Sequence, residues 1–146
     1  MTLLRTAAVV RRLVTRAVEP AGLSLAQYNV LRILRGAGSG GLATLAVRDR
    51  MVEEAPGVTR LLDKLEDAGL VRRDRTSADR RQVLCAITPA GLALLDRLDP
   101  AVNAADEAVM ASLGESGMQQ LVSRLNDLRA GIATAAGCSA ELSDAE

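Results

Sequence analysis

Residues 70–84 constrain the fold of this chain more than any other stretch, because they predict a β-hairpin placed directly after a helix. Short β-forming runs at both ends of the stretch flank a polar segment rich in arginine. The preceding residues, Pro56 to Ala68, have the periodicity of a helix, and Gly69 supplies the left-handed residue that commonly follows a helix end. We therefore expect a helix followed by a hairpin with arginines at its tip.

The remainder of the chain is predicted to be mainly helical, since apolar residues recur at steps of three and four. Outside the region above, the predicted helices span about 3–18, 25–35, 44–51, a long stretch from 89 and about 115–135. Ser24-Leu25-Ala26-Gln27 matches a capping box, and Thr44 and Thr88 are candidate helix caps. The glycines between residues 36 and 41 predict a flexible loop, and Pro100 predicts a kink or break in the long helix.

The composition favours helices packed on helices around one core. The chain has 146 residues, the length of one domain, and it contains no Trp or Phe, so the core must be mainly aliphatic. Tyr28 is predicted to pack in that core rather than to contact a ligand, and Cys85 to be a small buried hydrophobe. The predicted fold class is mainly α with a small β-hairpin.

Charge is distributed unevenly along the chain. The formal net charge is zero, which taken alone argues against nucleic acid as a partner. Residues 1–81, however, carry 15 Lys and Arg against 9 Asp and Glu, whereas residues 82–146 carry 3 against 9. This asymmetry favours a polyanionic partner for the basic half, although an acidic solvated face would also explain the other half.

The sequence argues against an enzyme, a metal protein or a membrane protein. It contains no His, which removes the most frequent general base and metal ligand, and it has no phosphate-binding loop or nucleophile motif. No cofactor is expected. Arginines interrupt the N-terminal apolar residues, and Cys85 and Cys138 form no CxxC motif, so we expect a cytoplasmic chain without disulfides.

The first and last predicted helices carry apolar stripes that a compact hairpin domain does not need. Leu3, Ala7 and Val10 begin one stripe, and Leu121 and Leu125 belong to the other. Pairing of these helices across a two-fold axis would bury both stripes, which predicts a homodimer. The alternative is that the two helices pack on each other within one chain.

A helix followed by an arginine-tipped hairpin is the arrangement with which a winged helix-turn-helix holds DNA. The sequence resembles the MarR (multiple-antibiotic-resistance regulator) family of bacterial winged-helix proteins over roughly residues 3–135. The segments that carry the resemblance are Leu25–Arg32, Gly57–Glu66, Gly69-Leu70-Val71, Asp79-Arg80-Arg81 and Thr88–Gly91. Their order and spacing together make the resemblance specific. Arg48 departs from it, because helix-turn-helix units usually carry a small residue there.

The resemblance implies an obligate dimer, a palindromic operator and, commonly, a small ligand that lowers DNA affinity. We expect one domain over residues 1–137, with a winged helix-turn-helix lobe at 24–88, dimerisation helices at 3–20 and 89–135, and a flexible tail at 138–146. An effector pocket between the dimerisation helices and the DNA-binding lobe would have mainly aliphatic walls. The predicted function is that of a transcriptional repressor.

The helix after Pro56 is the predicted recognition helix, which by similarity carries Thr59 and Arg60. Arg60 can place two donors on guanine O6 and N7, although an ion pair with Asp63 or another carboxylate near Lys64 on a solvated helix face is the alternative. Thr59 and Lys64 are expected to meet phosphates. Pro56 and Gly57 present little side chain, so the helix N-terminus can approach the DNA backbone closely.

The hairpin forms the predicted wing, whose tip by similarity approaches the minor groove. One of Arg80 and Arg81 is expected to enter the groove while Asp79 holds the loop, and Arg73 and Arg75 add positive charge nearby. A hairpin stabilised by an Asp–Arg pair without a DNA role is the alternative, but it leaves most of these arginines unexplained. A competing function is a dimerisation or adaptor module that uses the winged helix to bind a protein.

Overall fold

The computed structural model describes residues 1–51, 57–74 and 83–135. The helices are α1 (Thr2–Val18), α2 (Leu25–Ala37), α3 (Thr44–Asp49), α4 (Val58–Asp67), α5 (Pro89–Met110) and α6 (Gly114–Ala135). The strands are β1 (Leu42–Ala43), β2 (Val71–Asp74) and β3 (Leu84–Ile87), with short 3₁₀ turns at Glu19–Ala21 and Gly38–Gly40. The fold is therefore mainly helical with a small antiparallel sheet, as the sequence predicted.

Local sequence signals fix several helix ends. Ser24 Oγ accepts a hydrogen bond from the backbone amide of Gln27 at 3.2 Å, and the Gln27 side chain accepts one from the Ser24 amide at 2.9 Å. This reciprocal pair is the predicted capping box. Thr88 Oγ1 accepts from the amide of Gly91 at 3.1 Å and so caps α5. Gly69 has φ +71° and closes α4 as predicted.

The sheet contains a strand that the sequence did not reveal. Its order is β1-β3-β2, and β1 pairs antiparallel with β3, with Leu42 opposite Cys85. Gly41 permits this pairing, because a Cβ there would lie 2.6 Å from the backbone oxygen of Cys85. The prediction of a flexible glycine loop was therefore wrong: residues 38–43 form a 3₁₀ turn and an edge strand.

Two other local predictions were wrong in whole or in part. Thr44 does not cap α3, whose N-cap residue is Ala43 without a side-chain bond. The Thr44 hydroxyl instead lies 3.7 Å from Cys85 Sγ. Pro100 does not break the long helix, because α5 continues from Pro89 to Met110, whereas the alternative of a kink stays a prediction. The departure at Arg48 is accommodated at the surface, where its side chain is 58% exposed and pairs with Asp49.

The chain divides into two compact units, Met1–Ala105 and the residues from Asp106 onward. The N-terminal unit contains an aliphatic core drawn from α1 to α5 and the sheet; its fully buried large side chains are Val18, Val30, Leu31, Leu34, Val47, Leu62, Leu65 and Leu95. Tyr28 and Cys85 are buried in the same unit, as predicted. In the described part of the C-terminal unit, α6 and the end of α5 bury no side chain to a comparable degree.

No helix in the described part of the chain is long and apolar enough to cross a membrane.

Candidate nucleic-acid interface

Helix α4 is held by its apolar face and leaves its polar face to solvent. Val58, Leu62 and Leu65 are buried in the core. The opposite face exposes Thr59 and Arg60, together with Asp63, Lys64 and Glu66. The result is a polar surface that can enter a groove without disturbing the core.

The N-terminus of α4 needs glycine at its cap. Gly57 is the N-cap residue and has φ +108° and ψ 30°, a backbone conformation that residues with a side chain rarely adopt. Gly57 is also exposed. Because Gly57 has no side chain, the N-cap residue itself does not cover the first amides of α4, which suits a phosphate. Pro56, the other residue predicted here, lies outside the described residues.

Arg60 and Lys64 project from the exposed face of α4. The alternative prediction for Arg60 was an ion pair with Asp63, but Asp63 pairs with Arg73 instead, at 2.6 Å from its Nη1. Within the described ranges, Arg60 forms no ion pair, and the same holds for Lys64. Both cations are therefore available to an external anion.

Arg73 has a different environment from the other predicted contact residues. Its side chain is 20% exposed, and Nη2 donates to the backbone oxygen of Thr59 at 3.1 Å. Nε lies 3.6 Å from a carboxylate oxygen of Glu66, and the backbone amide of Arg73 donates to the other Glu66 oxygen at 3.2 Å. Burial lowers the pKa of Arg73, but the hydrogen bond and charge of Asp63, with the charge of Glu66, outweigh it and raise the pKa above its ordinary value.

The base of the hairpin is well defined. Strands β2 and β3 pair antiparallel with Val71 opposite Ile87 and Asp74 opposite Leu84. Arg72 is exposed on β2 and lies 3.7 Å from Asp74. The predicted tip residues Arg75, Asp79, Arg80 and Arg81 lie outside the described residues. The structure thus describes the strands that lead to the tip, and the tip contacts stay predictions.

Sequence reasoning did not identify Asp63 and Glu66 as partners of Arg73. The helix face is visible in the sequence, but a strand arginine seven and ten residues further along carries no periodic relation to it. The only sequence signal for this cluster was the pair of acids Asp63 and Glu66 on the exposed face of α4. Two negative charges on a face that otherwise suits a polyanion indicate that a nearby cation compensates them.

A second polar feature lies on α1. A cleft of about 410 Å³ is lined by Ala8, Arg11, Arg12, Thr15 and Arg16. All its lining residues lie on α1, so it does not test the effector pocket predicted between the dimerisation helices and the DNA-binding lobe. Three guanidinium groups along one cleft favour an anionic occupant. In the described part of the chain, no cluster of His, Cys, Asp or Glu could hold a metal ion.

Comparison with known proteins agrees with this geometry. The family model "MarR family" matches residues 23–83, which include α4 and β2, the first strand of the hairpin. The HTH-type transcriptional repressor Rv2887 of Mycobacterium tuberculosis is 36% identical over 111 residues, covering 76% of this chain and 78% of that protein.

Solved structures are similar over most of the chain. CouR from Rhodococcus jostii, in complex with p-coumaroyl-CoA, is 29% identical with a TM-score of 0.75, over 87% of this chain and 88% of that one. Rv2887 in complex with salicylic acid is 32% identical with a TM-score of 0.68, over 87% of this chain and 93% of that one.

The chain belongs to the MarR family. It is a DNA-binding transcriptional repressor and not an enzyme. The predictions of fold, family and regulatory function are therefore confirmed, and DNA is favoured over the alternative of a protein-binding adaptor.

Proposed function

We propose that the chain acts as a homodimer on a palindromic operator, with one α4 in each of two successive major grooves about 34 Å apart. The observation that carries the proposal is the exposed face of α4, where Arg60 and Lys64 have no internal ionic partner in the described part of the chain. A bound dimer would exclude polymerase from the promoter. Because its proposed partner is DNA, the repressor would act in the cytoplasm.

Each residue on this face has a distinct proposed contact. Arg60 donates two hydrogen bonds to a guanine edge and so contributes specificity. Thr59 and Lys64 contact phosphates and fix the register of the helix on the duplex. The exposed turn at Gly57 brings the first amides of α4 to a phosphate, next to Pro56.

The hairpin supplies the second set of proposed contacts. Arg80 or Arg81 enters the minor groove, where the negative potential of A·T-rich DNA favours a guanidinium group. Asp79 holds the loop, and Arg75 adds charge beside the backbone. The support for these contacts is the described part of the hairpin, because the pairing of Asp74 on β2 with Leu84 on β3 brings the two ends of the intervening segment together.

The proposed dimer uses the apolar residues that the single chain leaves exposed. On α6, Leu121, Leu128 and Ile132 are 37%, 45% and 54% exposed, and on α1 Leu3 is 52% exposed. Burial of apolar surface is worth about 25 cal/mol per Å², so a second copy is a strong candidate to cover them. The proposed dimerisation segments are residues 3–20 and 89–135, around the DNA-binding lobe at 24–88 within a domain of 1–137, with 138–146 as a flexible tail.

Selection of bound fragments from random duplex DNA tests the proposal. The recovered sequence should be a palindrome with half-site centres about one helical turn apart. On that duplex, Arg60→Ala should weaken binding roughly 5- to 150-fold and relax specificity at one position. Lys64→Ala should weaken binding to all sequences and reduce the salt slope by about 1.

A matched control is Arg97→Ala, which removes an exposed arginine from α5 instead of α4. Its effect on affinity should be small. Loss of affinity in the control equal to that of Arg60→Ala, or no effect of either α4 variant, would contradict the proposed interface.

We further propose that a small anionic ligand lowers the affinity for DNA. The α1 cleft, with Arg11, Arg12 and Arg16, has the charge that such a ligand requires. Two similar proteins were solved in complex with p-coumaroyl-CoA and with salicylic acid. A ligand that prefers the DNA-free arrangement would lower affinity by linkage, typically 5- to 150-fold.

Titration of the operator complex with salicylate and with p-coumaroyl-CoA tests this second part. The expected result is a saturable loss of operator binding, abolished by the double variant Arg12→Gln and Arg16→Gln. Arg5→Gln, which removes an arginine of α1 outside the cleft, should respond like the unmodified protein. An unchanged response in the double variant would show that the effector does not bind in the α1 cleft.

A further inference from the structure

One cluster links the first strand of the hairpin to the DNA-facing helix. It consists of Arg73 on β2 and of Asp63, Glu66 and Thr59 on α4, and is called the Arg73 cluster below. The Arg73 side chain bonds Asp63 through Nη1 at 2.6 Å and the Thr59 backbone oxygen through Nη2 at 3.1 Å. Its Nε is buried and lies 3.6 Å from Glu66. All three guanidinium nitrogens are thus directed at α4.

This arrangement leaves Arg73 little capacity for DNA. Only 20% of its side chain is exposed, against 50% for Asp63 and 41% for Glu66. Moving the guanidinium to a phosphate would leave two carboxylates uncompensated on the helix that faces DNA, where they would repel the phosphates. The carboxylates of Asp63 and Glu66 are therefore compensated only if the Arg73 side chain keeps its contacts with α4.

The position of the cluster along α4 is informative as well. Thr59 directly precedes Arg60, and Asp63 directly precedes Lys64, so the cluster holds the helix backbone next to both proposed contact residues. The backbone amide of Arg73 also donates to Glu66, which fixes the strand itself and not only its side chain. A change in the placement of β2 is therefore transmitted to the first two turns of α4.

We propose that Arg73 is a positioning residue, which sets the orientation of α4 against the hairpin so that both engage one duplex together. This inference depends on the DNA-binding interface proposed above. It revises the sequence prediction that Arg73 is itself a DNA contact. It also assigns a function to Asp63 and Glu66, two acids on a face that otherwise suits a polyanion.

Asp63→Asn gives the sharpest test, because the two effects at issue have opposite signs. The substitution keeps the shape of the side chain and removes one negative charge from the DNA-facing helix. A pure charge effect would tighten binding to every duplex. A loss of positioning would weaken binding to the selected operator, because base contacts depend on the helix orientation.

The experiment measures dissociation constants on the selected duplex and on a random duplex, across a range of salt concentrations. The variants are Asp63→Asn, Arg73→Gln and Arg73→Lys, with Lys64→Ala as the phosphate-contact control. Thermal melting shows whether each variant is folded. If Arg73→Gln fails to fold, Asp63→Asn decides the question.

We expect Asp63→Asn and Arg73→Gln each to weaken operator binding about tenfold, with an unchanged salt slope. Arg73→Lys should not restore affinity, because an ammonium group cannot satisfy the carboxylate and the carbonyl with the same planar geometry. Lys64→Ala should instead lower the salt slope by about 1 on both duplexes. The Arg60→Ala effect should also shrink in the Arg73→Gln background.

Two results would overturn the inference. One is unchanged or tighter operator binding by Asp63→Asn, and the other is a fall of about 1 in the salt slope of Arg73→Gln, which would identify a phosphate contact. Failure of the proposed DNA-binding function can be distinguished from failure of this inference. In that case the unmodified protein would not discriminate the selected duplex from the random one.

Discussion

The N-terminal unit, Met1–Ala105, and the described part of the C-terminal unit, residues 106–135, differ in how they bury apolar side chains. The N-terminal unit encloses leucines such as Leu31, Leu62 and Leu95 completely. On α6 five large apolar residues remain between 37% and 54% exposed, and Leu125 is only partly buried. The two units contain similar residue types. The difference in burial therefore comes from the packing partners that surround the apolar side chains in each unit.

This difference indicates which part of the molecule is stabilised by contacts within a single chain. The N-terminal unit has three strands, five helices and a shared core among its described residues, and these can form in a single chain. Helix α6 has no such core, and most helical stability in proteins comes from packing of an apolar face. We therefore expect the stability of α6 to depend on protein concentration more strongly than that of the N-terminal unit.

The largest expected effect is on the core of the N-terminal unit. Leu62 is fully buried on α4, so Leu62→Ala should lower the free energy of unfolding by about 2–5 kcal/mol. Leu45→Ala is the matched control, since Leu45 is 62% exposed on α3. It should change stability by no more than about 0.5 kcal/mol. Chemical denaturation measures both.

An equal effect of the two substitutions would contradict the comparison, because burial would then not distinguish Leu62 from Leu45. Loss of DNA binding by folded Leu62→Ala is also expected, since the same side chain packs α4, the proposed recognition helix, on the core.

The next effect concerns α6 and dimerisation. Leu128→Gln with Ile132→Gln should raise the dimer dissociation constant at least about 100-fold, because each chain of the dimer loses two apolar side chains worth roughly 1.5–3 kcal/mol each when buried. Sedimentation over a range of concentrations measures this constant. Leu45→Gln removes an exposed leucine from the other unit and should leave the dimer intact.

If the double variant dimerises as tightly as the unmodified protein, the interface does not include this face of α6. If the unmodified protein is monomeric at all concentrations, the proposed dimer itself is wrong, and the contrast between the two units needs another explanation.

Features encoded within a few residues could be predicted from the sequence. The capping box at Ser24, the left-handed Gly69 and the cap at Thr88 all formed as expected, because each depends on neighbours at most a few positions away. Apolar periodicity likewise predicted the helix that forms α4, whose apolar residues Val58, Leu62 and Leu65 are buried. On the functional side, the exposed position of Arg60 follows directly from that periodicity.

Features that depend on distant partners could not be predicted. Strand β1 has two residues and forms only because Gly41 allows close approach to Cys85, more than 40 residues away. The contacts of Arg73 could not be predicted for the same reason. Its sequence neighbours suggested a row of arginines facing DNA, whereas its tertiary partners are the carboxylates of Asp63 and Glu66.

The smallest expected effect uses one ion pair from each unit. Arg35 on α2 binds Asp99 on α5 through two hydrogen bonds, at 2.7 and 3.2 Å, with both side chains about one-third exposed. The hydrogen bond with Asp99 raises the pKa of Arg35, which stays charged at every pH at which the protein is handled. Arg124 and Asp127 on α6 form a local pair at 3.9 Å and are largely exposed.

Arg35→Gln should therefore lower the free energy of unfolding by about 1 kcal/mol, because it removes a bidentate contact between two helices. Arg124→Gln should cost at most about 0.5 kcal/mol, and that small effect should vanish at high salt. Denaturant titrations at low and high salt measure both. Equal costs for the two variants would mean that the tertiary connection between α2 and α5 adds nothing to the charge pair, and the contrast between the units would then rest on apolar burial alone.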